Sequence, residues 1–290
     1  MKKNLSLVPV FLAGLFLLTS CHSRVENEME NPAVPVMFNL NPIGLDGIFP
    51  MASETRAITT QPVRMLVLDV MDNNVVSENT INQAVEPPLE KLTMTLSYGT
   101  HTLYFLLSAR DFDSFDENNL TVSWGTNRLS YVWALKKEIE VTGEDIADQT
   151  INLDLVIGQF RLVCNDAFPN NIGNVQISSP ALCWKLDLKT MVGVPGTVSY
   201  NLDASSLKGQ TGKTISTYTF IPSDEKISEI TFTAYTNDED SPEVIKQHTI
   251  SNIEVKKGYI TQYSGNFFSS NASFSPSWQQ EWTGTTYQTY

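Results

Sequence analysis

The sequence predicts an all-β chain organised as two tandem β-sandwich domains. Three observations carry this. Apolar residues recur with a period of two, turn signals separate the runs, and the chain is long enough for two cores. Lys91-Leu92-Thr93-Met94-Thr95-Leu96-Ser97-Tyr98 puts four apolar residues on one face and Lys, Thr, Thr and Ser on the other, the signature of a half-buried strand. Glu229 to Tyr235 (EITFTAY) repeats the pattern. Asp72-Asn73-Asn74, Tyr98-Gly99, Pro169-Asn170-Asn171, Asn237 to Asp240 and Lys257-Gly258 punctuate the runs. Many short strands at such spacing point to sandwiches.

Taken in order, the chain opens on Met1-Lys2-Lys3, then an uncharged apolar stretch from Leu5 to Leu18. That stretch has the length and flanks of a signal peptide and is short of the ~20 residues of a spanning helix. It ends in Leu18-Thr19-Ser20-Cys21, which resembles the bacterial lipobox. The resemblance implies that residues 1–20 are removed and that Cys21 becomes a lipidated N-terminus. Three acyl chains would hold it at a membrane, since two already suffice. Residues 21–33 are polar and acidic and read as a tether. An acidic run just after the cysteine resembles the surface-export signal of Bacteroidetes lipoproteins; a plain solvated linker is the alternative. These features predict a surface-exposed outer-membrane lipoprotein.

Val63 to Val70 (VRMLVLDV) and Leu103 to Ala109 (LYFLLSA) are apolar on both faces, as for strands in the middle of a sandwich. Leu129 to Lys137 (LSYVWALKK) is the one plausible helix, and its aromatic and β-branched residues leave it ambiguous with a strand. A division falls near Asp154 to Gly158, giving an N-terminal domain of residues 34–155 and a C-terminal domain of residues 156–290, each above minimal domain size.

Without Lys2 and Lys3 the chain keeps 17 basic against 32 acidic residues, a net charge of −15. So acidic a chain is a poor nucleic-acid binder, because phosphate recognition needs a basic patch. After Cys21 only Cys164 and Cys183 remain. An oxidising envelope permits a disulfide. Strand alternation opposes one: Cys164 shares a face with Phe160 and Leu162, whereas Cys183 lies opposite Leu182, Trp184 and Leu186. Two free thiols are therefore expected, one facing the core and one away from it.

Four segments together resemble the fimbrillin-type subunits of Bacteroidetes pili (type V pili), including their lipoprotein anchors and minor subunits. Val63 to Val70 resembles the first long strand after a variable loop. Leu103 to Ala109 resembles the aromatic-rich strand after a Tyr-Gly turn. Ile151 to Pro169 (INLDLVIGQFRLVCNDAFP) resembles the domain-crossing segment, departing from it at Asp154, where many relatives carry a basic residue. Ile250 to Phe268 and Phe274 to Gly284 resemble the C-terminal hairpin and final strand. The resemblance covers most of residues 34–290. It implies two transthyretin-like, Greek-key β-sandwiches with a structural role and no catalysis. Its partners would be other fimbrial subunits and, through the lipid, the outer membrane. Polymerising members of the family lose their first strand to a protease acting at an arginine in the next loop, and the open groove accepts a strand from another subunit. The physics is strand addition at an unpaired edge. The resemblance makes Val34 to Leu40 the first strand here and the bond between Arg56 and Ala57 the cleavage site. An uncut loop arginine is the plain alternative, as in an anchor that keeps its lipid. Phe274, Trp278 and Trp282 share one parity in the C-terminal segment, which is either a donor strand or the strand closing its own domain.

Catalytic and metal motifs do not assemble. Gly209 to Thr214 (GQTGKT) ends like a phosphate-binding loop but has Leu207 where the first glycine belongs. Asp111 to Asp116 starts like a calcium loop but places Phe115 at a ligand position. At most a loose surface calcium site could form there or at Asp238 to Asp240; solvated turn carboxylates are the simpler reading. His22, His101 and His248 are isolated, without metal spacing; the last two are expected at the surface. No G-x-S-x-G elbow occurs, and no cofactor is implied. The competing reading is a surface glycan-binding lipoprotein that uses Trp124, Trp133, Trp278 and Trp282 as stacking platforms. Its test is whether those rings are exposed or buried.

Overall fold

The structure is a computed structural model. It describes residues 32–42, 63–85, 91–125, 129–142, 146–238, 240–269, 274–280 and 287–289. Cys21, Arg56, Ala57 and Trp282 lie outside the described residues.

The fold is all-β. Strand β1 (Ala33–Pro42) is followed by β2 (Arg64–Met71), β3 (Asn74–Val75), β4 (Ile81–Ala84), β5 (Lys91–Ser97) and β6 (Gly99–Ser108). A short hairpin, β7 (Ser114–Asp116) and β8 (Thr121–Ser123), precedes β9 (Val132–Val141) and β10 (Gln149–Leu155). Eight of these strands form one sheet in the order β3-β2-β6-β9-β10-β1-β5, with β4 also paired to β2. The sheet curls: between β9 and β10 only Asp154↔Ala134 and Leu155↔Trp133 pair. As a result Phe38 of β1 meets Phe105 of β6, ring centroids 5.3 Å apart, although two strands separate them in the sheet. β2 is buried along both faces, as its apolar residues on both parities predict. Asp72 and Asn73 turn β2 into β3 with φ of 49° and 65°, the two left-handed residues that a tight hairpin needs.

Val156 alone separates β10 from β11 (Ile157–Cys164). A long hairpin follows, β12 (Ile172–Asp187) and β13 (Val192–Asp203), then β14 (Lys213–Phe220), β15 (Lys226–Thr236), β16 (Val244–Glu254) and β17 (Tyr259–Gly265). β18 (Phe274–Gln280) and β19 (Tyr287–Thr289) end the described chain. Here the two layers are separate sheets, β14-β11-β17-β18-β19 and β16-β15-β12-β8-β7, with β13 on β12. Phe160 of β11 stacks on Phe232 of β15 across them at 5.6 Å.

The second half repeats the pairing pattern of the first. β1 runs antiparallel to β5 and parallel to β10; β11 runs antiparallel to β14 and parallel to β17. β2-β6-β9 are successive antiparallel neighbours, and so are β12-β15-β16. β4 flanks β2 as β13 flanks β12. Two elements fall outside the repeat: the β7–β8 hairpin, and the β18–β19 pair appended to β17.

The hairpin crosses between the halves. β8 pairs with the far end of β12, Lys185↔Ser123 to Asp187↔Thr121. Flanking backbone bonds run from Trp124 N–H to Trp184 O (2.9 Å) and from Leu188 N–H to Leu120 O (2.9 Å). Leu120, buried here, holds φ of 51°, a strained value for a bulky residue.

Two sequence expectations give way. The ambiguous segment from Leu129 to Lys137 is no helix: β9 takes up Val132 onward and pairs with β6 from Gly99↔Val141 to Ser108↔Val132. Its β-branched and aromatic residues prevail over the helical spacing because β6 supplies a full ladder. The thiols do not split between core and surface, since Cys164 and Cys183 are free and both fully buried. Register shifts on either side of Leu182 break the alternation of β12, so Leu182, Cys183 and Trp184 are buried in succession. A Cβ at Gly193 would stand 2.7 Å from Cys183 Cβ and 2.8 Å from Phe220 Cβ, which shows how closely β13 and β14 cover that thiol.

Candidate assembly site

β1 is built to fill a groove. Val36 and Phe38 are fully buried and Leu40 nearly so, while Pro35 and Asn41 face out. Each buried side chain of this kind stabilises by about 1.5–3 kcal/mol. The strand is staggered between its neighbours. It pairs with β5 from Ala33↔Ser97 to Asn39↔Lys91, and with β10 from Phe38↔Gln149 to Pro42↔Leu153. Pro35 therefore sits where β1 has one neighbour only, so its missing N–H interrupts no second ladder. Without β1, the channel between β5 and β10 would bare Met94, Leu96, Ile151 and Leu153, all buried in the intact fold. Arg56 and Ala57 fall between β1 and β2 in the chain, outside the described residues.

The C-terminal segment lies on its own half. β18 runs antiparallel to β17 from Tyr259↔Gln280 to Gly265↔Phe274, which sets Trp278 opposite Thr261. β19 pairs on its outer edge. The connection ahead of β18 is latched. Asp166 accepts backbone N–H bonds from Phe267 (2.8 Å), Phe268 (2.7 Å) and Ser269 (2.8 Å). His248 Nε2 donates to Phe267 O at 2.8 Å and Lys246 Nζ to Ser269 O at 3.1 Å. Phe274 packs edge-on against His248, centroids 5.4 Å apart. Sequence reasoning missed Asp166. Its only trace was an acidic residue just past a strand, among many such residues in an acidic chain.

The histidines depart from expectation. His101 is fully buried, with Nδ1 2.7 Å from Asp69 Oδ1 and Nε2 2.8 Å from Ser97 O. Asp69 is equally buried and accepts a bond from Asn79 Nδ2 at 3.1 Å. His248 is half-buried within the latch. His101 shares the parity of Leu103 and Phe105, opposite exposed Thr100, so it turns inward and finds partners on β2 and β5.

The motif-like stretches are turns. Gly209 and Gly212 hold φ of 70° and 65°, and the chain enters strand β14 at Lys213 rather than the helix a phosphate loop requires. Asp116 Oδ1 accepts the N–H groups of Asn118 and Asn119, and Oδ2 accepts Asn119 Nδ2 at 2.7 Å. Those Asn119 bonds hold its carboxyl below the usual range. Asp238 Oδ1 likewise accepts from Asp240 and Ser241. Among the described residues no three His, Cys, Asp or Glu side chains group around a metal-sized site.

Trp124 and Trp133 are buried at 3% exposure each, so neither can serve as a stacking platform. Trp124 packs on Phe220 (5.0 Å) and donates its indole N–H to Ser108 Oγ at 3.3 Å. Trp133 stacks on Tyr131 at 6.0 Å. Both serve the core.

No protein-family model matches the chain, and no curated protein matches its sequence. Solved structures do match. A candidate adhesin from Bacteroides ovatus superposes with a TM-score of 0.52 at 13% identity, over 81% of this chain and 88% of its own. A candidate adhesin from Bacteroides thetaiotaomicron gives 0.52 at 10% identity, over 87% and 97%. A fimbrial assembly protein from Parabacteroides distasonis superposes more loosely, at 0.47 and 10% identity over 86% and 96%. The chain thus has the all-β fold of these Bacteroides candidate adhesins, which agrees with the fimbrillin-type resemblance of its sequence.

Proposed function

We propose that the chain is a structural subunit of a surface fimbria that assembles with other subunits by strand addition. The observation that carries this is β1. It is the first of the described strands, it contributes three core side chains, and the stretch of chain containing Arg56 lies between it and β2. Cutting after Arg56 would let β1 leave, and the channel between β5 and β10 would then be refilled by an extended segment of another subunit. Main-chain bonds would supply affinity, and pockets for alternate side chains would supply specificity. The β18–β19 pair, appended to one edge of its sheet, is the donor on this reading. On this reading residues 34–155 and 156–290 act as two sandwich units, and in a subunit that stays uncut lipid on Cys21 holds the protein at the outer membrane. The fold shared with the Bacteroides candidate adhesins supports a role at the cell surface.

Lipid anchoring and loss of β1 exclude each other in one molecule, since the lipid would leave with the strand. Sequencing the N-terminus of the cell-associated protein separates the roles. An Ala57 start identifies a polymerising subunit; a blocked, lipidated Cys21 identifies an anchor. A deletion strain is expected to lose its fimbriae or shed them, and unaltered, attached fimbriae would sink the structural reading.

A further inference from the structure

The channel that β1 fills sets two conditions on any strand that occupies it. The first is apolar. Val36 and Phe38 are fully buried, Leu40 nearly so and Val34 half-buried. The second concerns main-chain donors. One step before Ala33↔Ser97 the register sets Pro32 opposite Tyr98, and there the Tyr98 N–H donates to Pro32 O at 3.0 Å. Antiparallel pairs alternate between hydrogen-bonded and non-hydrogen-bonded, so Val34↔Leu96, Val36↔Met94 and Phe38↔Leu92 are bonded pairs. The inward residues of β1 are therefore the same ones whose N–H groups reach β5. Pro35 falls in a non-bonded pair, where β5 asks nothing of its nitrogen.

No register of the chain's own C-terminal segment meets both conditions. Residues 274–280 read FSPSWQQ. With Phe274, Pro276 and Trp278 inward, Pro276 lands on a bonded pair. At the Val36 position it would leave Met94 O without a donor, and at the Phe38 position Leu92 O. The opposite parity turns Ser275, Ser277 and Gln279 into an apolar core. Sliding Pro276 to the Leu40 position, past the last β5 pair, puts Phe274 at Phe38 but Ala272 at Val36 and Ser269 at Ala33. Ser269 is already committed to its own half, its N–H to Asp166 and its carbonyl to Lys246. Sliding Pro276 the other way, to Pro32, puts Gln280 at the fully buried Val36 position. Residues 283–290 (TGTTYQTY) hold no three apolar residues at alternate positions.

We infer that the β1 channel takes its strand from a different subunit and not from a second copy of this chain. The partner segment carries apolar side chains of valine to phenylalanine size at three alternate positions, a main-chain N–H at each, and no proline among them. The inference rests on the strand-addition reading and deepens it. Whatever channel β18 enters belongs to a different protein, so this chain fills a single place in a fimbria rather than a run of repeated places.

The test uses the full chain with a specific protease site placed between Arg56 and Ala57, cut in the folded state so that β1 stays seated until it is exchanged. Three fluorescent peptides are offered in excess, and their uptake is followed by anisotropy. One is residues 32–42, one is residues 270–290, and one is residues 270–290 with Pro276→Val, Trp278→Phe and Gln280→Leu. The last reproduces the spacing of Val36, Phe38 and Leu40. The β1 peptide and the substituted peptide are expected to enter. The unsubstituted C-terminal peptide is expected to bind about a hundredfold more weakly than the β1 peptide, the combined effect of one orphaned β5 carbonyl and one lost apolar anchor. Equal uptake of the unsubstituted peptide, with the β1 peptide entering normally, overturns this inference and leaves strand addition standing. Exclusion of the substituted peptide while the β1 peptide enters overturns it too. If the β1 peptide itself does not enter, strand addition at this channel fails and the inference falls with it.

Discussion

His101 brings a polar ring into a layer of leucines, and every polar atom it brings is matched. Both ring nitrogens face oxygens, on Asp69 and on Ser97, and Asn79 takes the second Asp69 oxygen. The trio joins β2, β6 and the end of β5. Asp69→Ala would leave one ring nitrogen buried without its acceptor. The expected loss is about 1–3 kcal/mol, read as a lower urea midpoint with unchanged slope. The thiols make a separate prediction. Burial raises Cys164 and Cys183 from 9.0 to about 12, and Tyr200 from 10.0 to about 12. Unfolded, these groups lose their protons near their ordinary values; folded, they keep them. Between pH 9 and 12 the unfolded chain therefore binds fewer protons, and stability falls as pH rises. Each thiol contributes up to about 1.4 kcal/mol per pH unit in that window. Urea titrations at pH 8, 9 and 10 should show the midpoint dropping above pH 9, with both thiols unreactive toward a maleimide until the chain unfolds.

At the scale of the element, β1 is where sequence and fold agree most directly. The family resemblance made Val34 to Leu40 the first strand, and Val36, Phe38 and Leu40 are buried on it. Phe38→Ala should cost about 3–5 kcal/mol, because its ring spans from β1 to Phe105 on the opposite layer. A larger loss than Leu40→Ala, compared by thermal melting, is the expected order; equal losses would mean that β1 sits loosely. The strands legible in advance were those with one partner face, such as Lys91–Ser97 and Lys226–Thr236. Cys183 was not, because a bulge beside it shifts the register and alternation carries no mark of a bulge. His101 was legible but misjudged, because its parity with Leu103 and Phe105 turns it inward opposite exposed Thr100. Among the candidate site residues, Phe274 and Trp278 were placed on a strand by their parity, as the structure has them. The latch around Asp166 joins residues about a hundred positions apart, a distance over which pattern reading has no reach.

For the whole molecule, the decisive element is the long β12–β13 hairpin. Its base pairs with β15 in the second half and its far end with β8 from the first. Tyr131 and Tyr218 add a hydroxyl contact at 3.3 Å across the same junction. Two halves joined only by Val156 would be free to hinge. Sharing a sheet, they should unfold together. Replacing residues 114–123 by a short glycine linker is expected to split one denaturation transition into two, with near-UV and far-UV signals no longer coincident. A single coincident transition in that variant would show that the hairpin contributes nothing to the coupling.

The parallel pairing of β1 with β10 has a mechanical consequence. The chain enters β1 at Ala33 and leaves β10 at Leu155 toward the second half. Because the two strands run the same way, those points lie at opposite ends of the pair. Tension between the N-terminal end and the second half therefore slides β1 along β10 instead of peeling it away. Where the two strands pair, the cross-strand bonds bear the load at once rather than one after another. A strand pair built this way resists being pulled along its strands far better than being pulled across them.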